Sequence, residues 1–215
     1  MNLELELKAV TETVRQQAPT EVISLMEAAT AKLAAAGLVE RALKPGQAMP
    51  NFELPDATGK LVRSPDLLVQ GSLLISFYRG NWCPYCNLEL RALQQRLEEI
   101  RALGATLVAI SPETPDQSLT TQEKHDLQFP VLSDAGNRVA RQFGLVSQLD
   151  QSLRPIYKAF GIDLAAHNGD QSFELPIPAT YLVGADGTVL NAFVNVDYRE
   201  RLAPETAIAW LQQAN

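Results

Sequence analysis

The chain has 215 residues, of which 46% are hydrophobic and 20% charged, the balance of a globular protein and not of a disordered one. That length buries a sizeable core as one domain, with room for an added helical piece and no need of disulfide staples. The net charge of −7, with no long Lys/Arg run, argues against nucleic acid and against an anionic membrane surface as partners.

Apolar runs such as Leu73-Leu74-Ile75 are too short for a transmembrane helix. The start, Met1-Asn2-Leu3-Glu4-Leu5-Glu6, has neither the basic opening nor the apolar core of a secretion signal, so a cytoplasmic location is expected. Residues 1–44 read as a helical extension, divided at Pro19-Thr20. Thr20 suits the N-cap of a helix over 21–36 and Gly37 its stop. Val22, Leu25, Met26, Ala29 and Leu33 form an apolar stripe at helical spacing. The stripe fits a helix packed on its own domain or a dimerisation arm, which makes a homodimer one expectation.

From residue 45 to 215 the pattern alternates between strand and helix. Phe52-Glu53-Leu54 and Lys60-Leu61-Val62 flank the turn Asp56-Ala57-Thr58-Gly59. Residues 73–78 are a compact apolar run, the mark of a buried central strand. Leu90, Leu93, Leu97, Ile100 and Leu103 extend a helix from Cys86 to its stop at Gly104. A second buried strand is expected at 106–111, a helix at 115–126 behind Thr114 and Pro115, a short strand at Val131-Leu132 and a short helix at 137–143. Residues 144–175 are the least regular, with one helix expected around 151–160. Tyr181-Leu182-Val183 and residues 189–194 flank Ala185-Asp186-Gly187 as a hairpin, and residues 204–213 close the chain as a helix. This order predicts an α/β fold with a mixed central sheet and helices on both faces. Ligands gather beyond the carboxyl ends of the strands in such sheets.

Cys83 and Cys86, the two cysteines of the chain, fall at that end, at the start of the helix after the central strand. They close too small a loop to restrain the unfolded chain, so a bond between them is functional rather than structural. A helix N-terminus favours a thiolate, which is the nucleophilic form, and lowers a thiol from ~8.5 to roughly 3.5–7.5. Arg79 adds a nearby cation, Pro84 presets the first helical turn, and a thiol three residues on shares the helix face. Half of a zinc site is the competing reading, but His125 and His167 lack ligand spacing. No metal, flavin or haem motif is present, so no cofactor is expected and the thiols carry the chemistry.

The strand-turn-CxxC-helix unit resembles the thioredoxin fold, and Cys83-Pro84-Tyr85-Cys86 is the glutaredoxin form of the motif. Leu175-Pro176-Ile177-Pro178-Ala179-Thr180-Tyr181 resembles the loop that carries the cis-proline of that fold, with Pro178 as its equivalent and Pro176 as competitor. Residues 44–200 resemble the peroxiredoxins of alkyl-hydroperoxide-reductase and thiol-specific-antioxidant type, through residues 52–59, the strand at 73–78, and Thr180-Tyr181-Leu182-Val183 with Asp186-Gly187. Laid over the family's Pro-x-x-x-Thr/Ser-x-x-Cys, the peroxidatic cysteine falls on Cys86, the Thr/Ser on Cys83 and the Pro on Arg79. The family's later arginine falls on Pro178. Cys83 is a weak donor and Pro178 offers none, so the two side chains that stabilise a bound peroxide in the family are missing here.

The two resemblances differ on which thiol attacks; Cys83 is favoured, as the earlier cysteine at the helix start. They imply a thiol-dependent antioxidant oxidoreductase that reduces hydroperoxides through a Cys83–Cys86 disulfide and is re-reduced by thioredoxin or by glutathione through glutaredoxin. A protein disulfide reductase of glutaredoxin type and a non-catalytic redox sensor are the alternatives. Trp82 fits packing or a docking surface, and Tyr85 a substrate groove or a surface aromatic. Phe77 or Tyr78 is expected in the core. His125, Glu89, Arg91, His167 and the run 197–201 read as helix-end or solvated residues.

Overall fold

The computed structural model describes residues 2–214; Met1 and Asn215, the outer ends of the two expected segments, lie outside the described residues. Helix α1 (Leu3–Gln17) starts where the Asn2 side chain accepts from the Leu5 amide, with Glu4 and Glu6 in the first turn, where acids are favoured. α2 (Thr20–Ala35) includes Thr20, and Pro19 holds its cap position. Gly37 turns the chain at φ 68° into α3 (Leu38–Arg41). The expected hairpin forms as β1 (Glu53–Pro55) and β2 (Leu61–Arg63), followed by the short α4 (Ser64–Leu68).

The central strand is β3 (Ser72–Phe77). The helix expected to run unbroken to residue 103 is two, α5 (Pro84–Gln95) and α6 (Leu97–Ala102). Arg96 leaves helical geometry at φ −108°, pairing with Glu99 and Glu205, while Leu97 and Ile100 turn inward. Then come β4 (Ala105–Ser111), α7 (Pro115–Lys124), β5 (Val131–Ser133) and α8 (Arg138–Gln142). The irregular stretch holds more than one helix. β6 (Val146–Gln148) pairs antiparallel with β7 (Glu174–Pro176), and between them lie a 3-10 turn (Gln151–Leu153), α9 (Arg154–Ala159) and α10 (Leu164–Asn168). β8 (Ala179–Val183), β9 (Val189–Val194) and α11 (Pro204–Ala214) complete the chain.

The main sheet has five strands in the order β5-β4-β3-β8-β9. β3, β4 and β5 run parallel; β8 and β9 run antiparallel to their neighbours. Side chains of β3 alternate between two cores. Leu74 and Tyr78 pack with Leu107, Leu182 and the inner faces of α5, α6 and α11. Leu73, Ile75 and Phe77 pack on the opposite face with Val108, Ile110, Phe143 and Tyr181. Phe77 and Tyr78 are both fully buried. The arm belongs to the same packing: Leu3 and Leu7 of α1 enter the first core, and Ala29 of α2 joins Leu149, Leu153 and Tyr157 in a third cluster. Met26 and Ala29 of the α2 stripe thus meet their own chain, while Leu25 is exposed. No helix among the described residues is long and apolar enough to cross a membrane.

Candidate active site

β3 delivers the chain to the site. Tyr78 stays in register through its amide on the Ile110 carbonyl, 2.9 Å, and Gly80 then turns at φ 148°. A Cβ at Gly80 would crowd the Trp82 indole and stand 3.0 Å from Glu113 Oε1, so the turn requires glycine. Cys83 occupies the N-cap of α5 and Pro84 its first position. Both thiols are free and buried, Cys83 at 1% and Cys86 at 0% exposure.

Two arginines reach the sulfurs. Arg79 Nη1 stands 4.0 Å from Cys83 Sγ, and the Arg79 amide 3.5 Å from Cys86 Sγ. Its guanidinium lies 4.4 Å from the Tyr198 ring centroid, 4.8 Å from Trp82 and 5.8 Å from Tyr157, and also donates to the Tyr157 hydroxyl. Arg201 Nη2 donates to Cys86 Sγ at 3.3 Å, and its Nε sits 2.7 Å from Glu89 Oε2. Thr180 donates to the other Glu89 oxygen at 3.4 Å.

The thiols are held apart electrostatically. Burial opposes ionisation of Cys83, but the hydrogen bond from Cys86, then the charges of Arg79 and Arg201, bring the thiol down to about 6. Burial pushes Cys86 well up, and the hydrogen bond and charge of Cys83 add to that, against the pull of the arginines. Burial also raises the Glu89 carboxyl to about 7, with Arg201 working against it.

Four expectations need correction. The run 197–201 is not simply solvated: Arg201 is buried against Cys86, and Tyr198 covers Arg79. Glu89 is not on the surface, because the Arg201 charge requires a buried partner. His167 is not free in solvent; its Nδ1 stands 3.2 Å from the buried Glu113, whose carboxylate also accepts from the Asn81 amide at 2.9 Å. His125 caps α7, yet burial, with Lys124 and Arg91, lowers its pKa, so the cation is disfavoured there.

The remaining residues divide. Arg91 is exposed, as expected. Trp82 packs edge-on against Tyr157, and Tyr85 is buried against Tyr198 with its hydroxyl beside Thr11 of α1. Pro178 immediately precedes β8 and lines a cavity next to Arg79. No described residue has a cis peptide bond, so the bond before Pro178 is trans.

A mixed sheet in this order, with a Cys-x-x-Cys turn beyond the carboxyl end of its central strand, is the thioredoxin fold as peroxiredoxins build it. The chain belongs to the AhpC/TSA family, whose model matches residues 45–192. Over 103 residues it is 33% identical to peroxiredoxin Bcp of Escherichia coli K12, a match covering 48% of this chain and 65% of that one. Over 133 residues it is 29% identical to chloroplastic peroxiredoxin Q of Triticum aestivum, covering 62% and 61%. The chain thus spans a little under two-thirds of the length of these relatives. The crystal structure of peroxidoxin BcpB from Mycobacterium tuberculosis superposes with a TM-score of 0.64 at 25% identity, over 80% of this chain and 99% of that one. Helices α1 to α3, Tyr198 and Arg201 lie outside the residues matched by the family model.

Proposed function

We propose that the protein is a thiol-dependent antioxidant peroxidase that reduces hydroperoxides through a Cys83–Cys86 disulfide cycle. The observation that carries this is a Cys83 thiol held at about 6 beside Arg79, with Cys86 one helical turn on. The Cys83 thiolate attacks the outer peroxide oxygen and the O–O bond breaks. The alkoxide leaves, takes a proton to become the alcohol, and Cys83 is left as sulfenic acid. Cys86 then attacks that sulfur, water leaves, and the disulfide forms. A dithiol, or two thiols, supplies two electrons to restore the pair; thioredoxin or a glutathione system suits that role.

Arg79 and Arg201 supply donors and positive charge where the family uses a neutral threonine hydroxyl and an arginine. Arg79 faces the thiolate and the oxygen on which charge develops, and Arg201 favours loss of the Cys86 proton in the second step. A folded disulfide substrate is disfavoured by thiol exposures of 1% and 0%, and a protein reductant requires the disulfide to become accessible. The reading treats residues 1–44 as an extension on a peroxiredoxin-like domain of residues 45–215, and the reducing cytoplasm as its setting.

Stopped-flow oxidation of the reduced protein by hydrogen peroxide, followed through tryptophan fluorescence, tests it. The expected rate exceeds that of free cysteine by orders of magnitude, and Cys86→Ser stops at a sulfenic acid on Cys83. A rate no faster than free cysteine refutes the peroxidase. A sulfenic acid retained by Cys83→Ser instead makes Cys86 the attacker.

A further inference from the structure

A cavity of about 480 Å³ opens beside Arg79, within the roughly 300–1,000 Å³ of small-molecule sites. Met26 and Leu33 of α2 form one wall, and Ile177 and Val196 contribute to the rest. Lys32 and Asp150, paired at 2.8 Å, also border it. The α2 wall lies outside the residues matched by the family model, while Arg79 and Ile177 lie within them.

Arg79, which borders the cavity, has an unusual charge balance. Arg79 is 6% exposed, and no carboxylate among the described residues pairs with it within 4.0 Å, whereas Arg201 has Glu89 at 2.7 Å. Its hydrogen-bond partners are the Tyr157 hydroxyl and Cys83 Sγ. In the dithiol form the Cys83 thiolate compensates it. Once that sulfur is in a disulfide, a buried cation is left without a carboxylate within 4.0 Å among the described residues, beside a cavity with one apolar wall, and such a charge calls for an anion.

We propose that this cavity binds an amphipathic carboxylate, its head on Arg79 and its chain along Met26, Leu33, Ile177 and Val196, and that it binds the disulfide form more tightly than the dithiol. The redox dependence rests on the Cys83–Cys86 cycle proposed above. By reciprocity the bound carboxylate stabilises the disulfide and makes it harder to reduce. A supply of such acids then holds the enzyme in its oxidised form.

Calorimetric titration with decanoate tests this on the dithiol, the peroxide-oxidised protein, Cys83→Ala and Leu33→Trp, with acetate and decanol as companion probes. Decanoate is expected to bind the disulfide form about ten-fold or more tighter than the dithiol, as a charge-assisted contact gives. Cys83→Ala, with neither thiolate nor disulfide, is expected to match the disulfide form. Leu33→Trp, which narrows the apolar wall, is expected to weaken decanoate in both redox forms. Decanol binding as well as decanoate overturns the role of Arg79, and acetate binding as tightly overturns that of the cavity. Equal affinity of Cys83→Ala and the wild-type dithiol overturns the competition with the thiolate. Thiol counting after peroxide separates the two failures: if no disulfide forms, the cycle is wrong, and the Cys83→Ala comparison still decides the site.

Discussion

Replacing Arg79 with methionine keeps much of its bulk and removes its charge. Two unit charges 4.0 Å apart attract by about 4 kcal/mol at an effective dielectric of about 20, equivalent to about 3 pKa units. Arg79 alone does not carry so much. The net depression of Cys83 is from 9.0 to about 6, burial opposes it, and the hydrogen bond from Cys86 outranks Arg79 among its lowering causes. Arg201 also remains in the variant. Arg79→Met is therefore expected to raise the midpoint, by less than the bare Coulomb figure. Because the thiol is depressed, reactivity is present above its midpoint and lost as pH falls through it, at about 6 in the wild type and higher in Arg79→Met, so the thiolate fraction near neutrality falls in the variant. At high pH both proteins are fully ionised, and the more basic thiolate is intrinsically somewhat more nucleophilic. Any loss on that plateau therefore measures the hold of Arg79 on the leaving oxygen, about 10²–10³ for a donor of this kind. Thiolate absorbance against pH gives the midpoint, and stopped-flow oxidation gives the plateau. A midpoint unmoved in Arg79→Met refutes the pairing of Arg79 with Cys83.

Cys86→Ala removes the leading cause that lowers the Cys83 pKa, so its thiolate midpoint is expected above that of Arg79→Met in the same titration. Gly80→Ala drives a methyl into the Trp82 indole and towards Glu113. It is expected to slow peroxide oxidation and shift the tryptophan emission, and an active variant with unchanged emission means that the turn tolerates a side chain. Glu89→Leu leaves Arg201 buried without its partner, and urea unfolding is expected to show a loss of about 3–5 kcal/mol; a loss within experimental error contradicts the burial of that pair.

The regular parts of the fold were legible because each carries a local signal. The apolar run at 73–78, the turn at Asp56-Ala57-Thr58-Gly59 and the Thr114-Pro115 helix start all lie where the chain shows the element. Residues 144–175 were not legible in detail. β6 and β7 have three residues each, too few for alternation to register, and β7 ends in a proline. The break at Arg96 carries no local sequence signal, and one of its partners, Glu205, comes from α11. At the site, the cysteines and Arg79 were readable from the motif. Glu89 and Arg201 were not, because a charged residue in a polar run reads as solvated until folding pairs it with one from a distant element. A glutamate three residues after Cys86, on the same helix face, was the one local hint.

The asymmetry between the thiols rests first on the hydrogen bond between them, which lowers Cys83 and raises Cys86, and then on the charges of the two arginines. Arg201 is the closer, 3.3 Å from Cys86 against 4.0 Å for Arg79 from Cys83. On distance alone Cys86 would ionise first. Arg201, however, has the Glu89 carboxylate at 2.7 Å, while Arg79 has aromatic rings and a phenol around it and, among the described residues, no carboxylate within 4.0 Å. Arg79 therefore adds to that hydrogen bond in lowering Cys83, and the thiolate formed there raises Cys86 further. On the proposed peroxidase reading, Arg79 and Arg201 supply charge where Pro178 has no donor to offer. If Cys83 attacks as proposed, its oxidation leaves Arg79 with no carboxylate among the described residues within 4.0 Å, and the proposed anion site draws on that same charge balance.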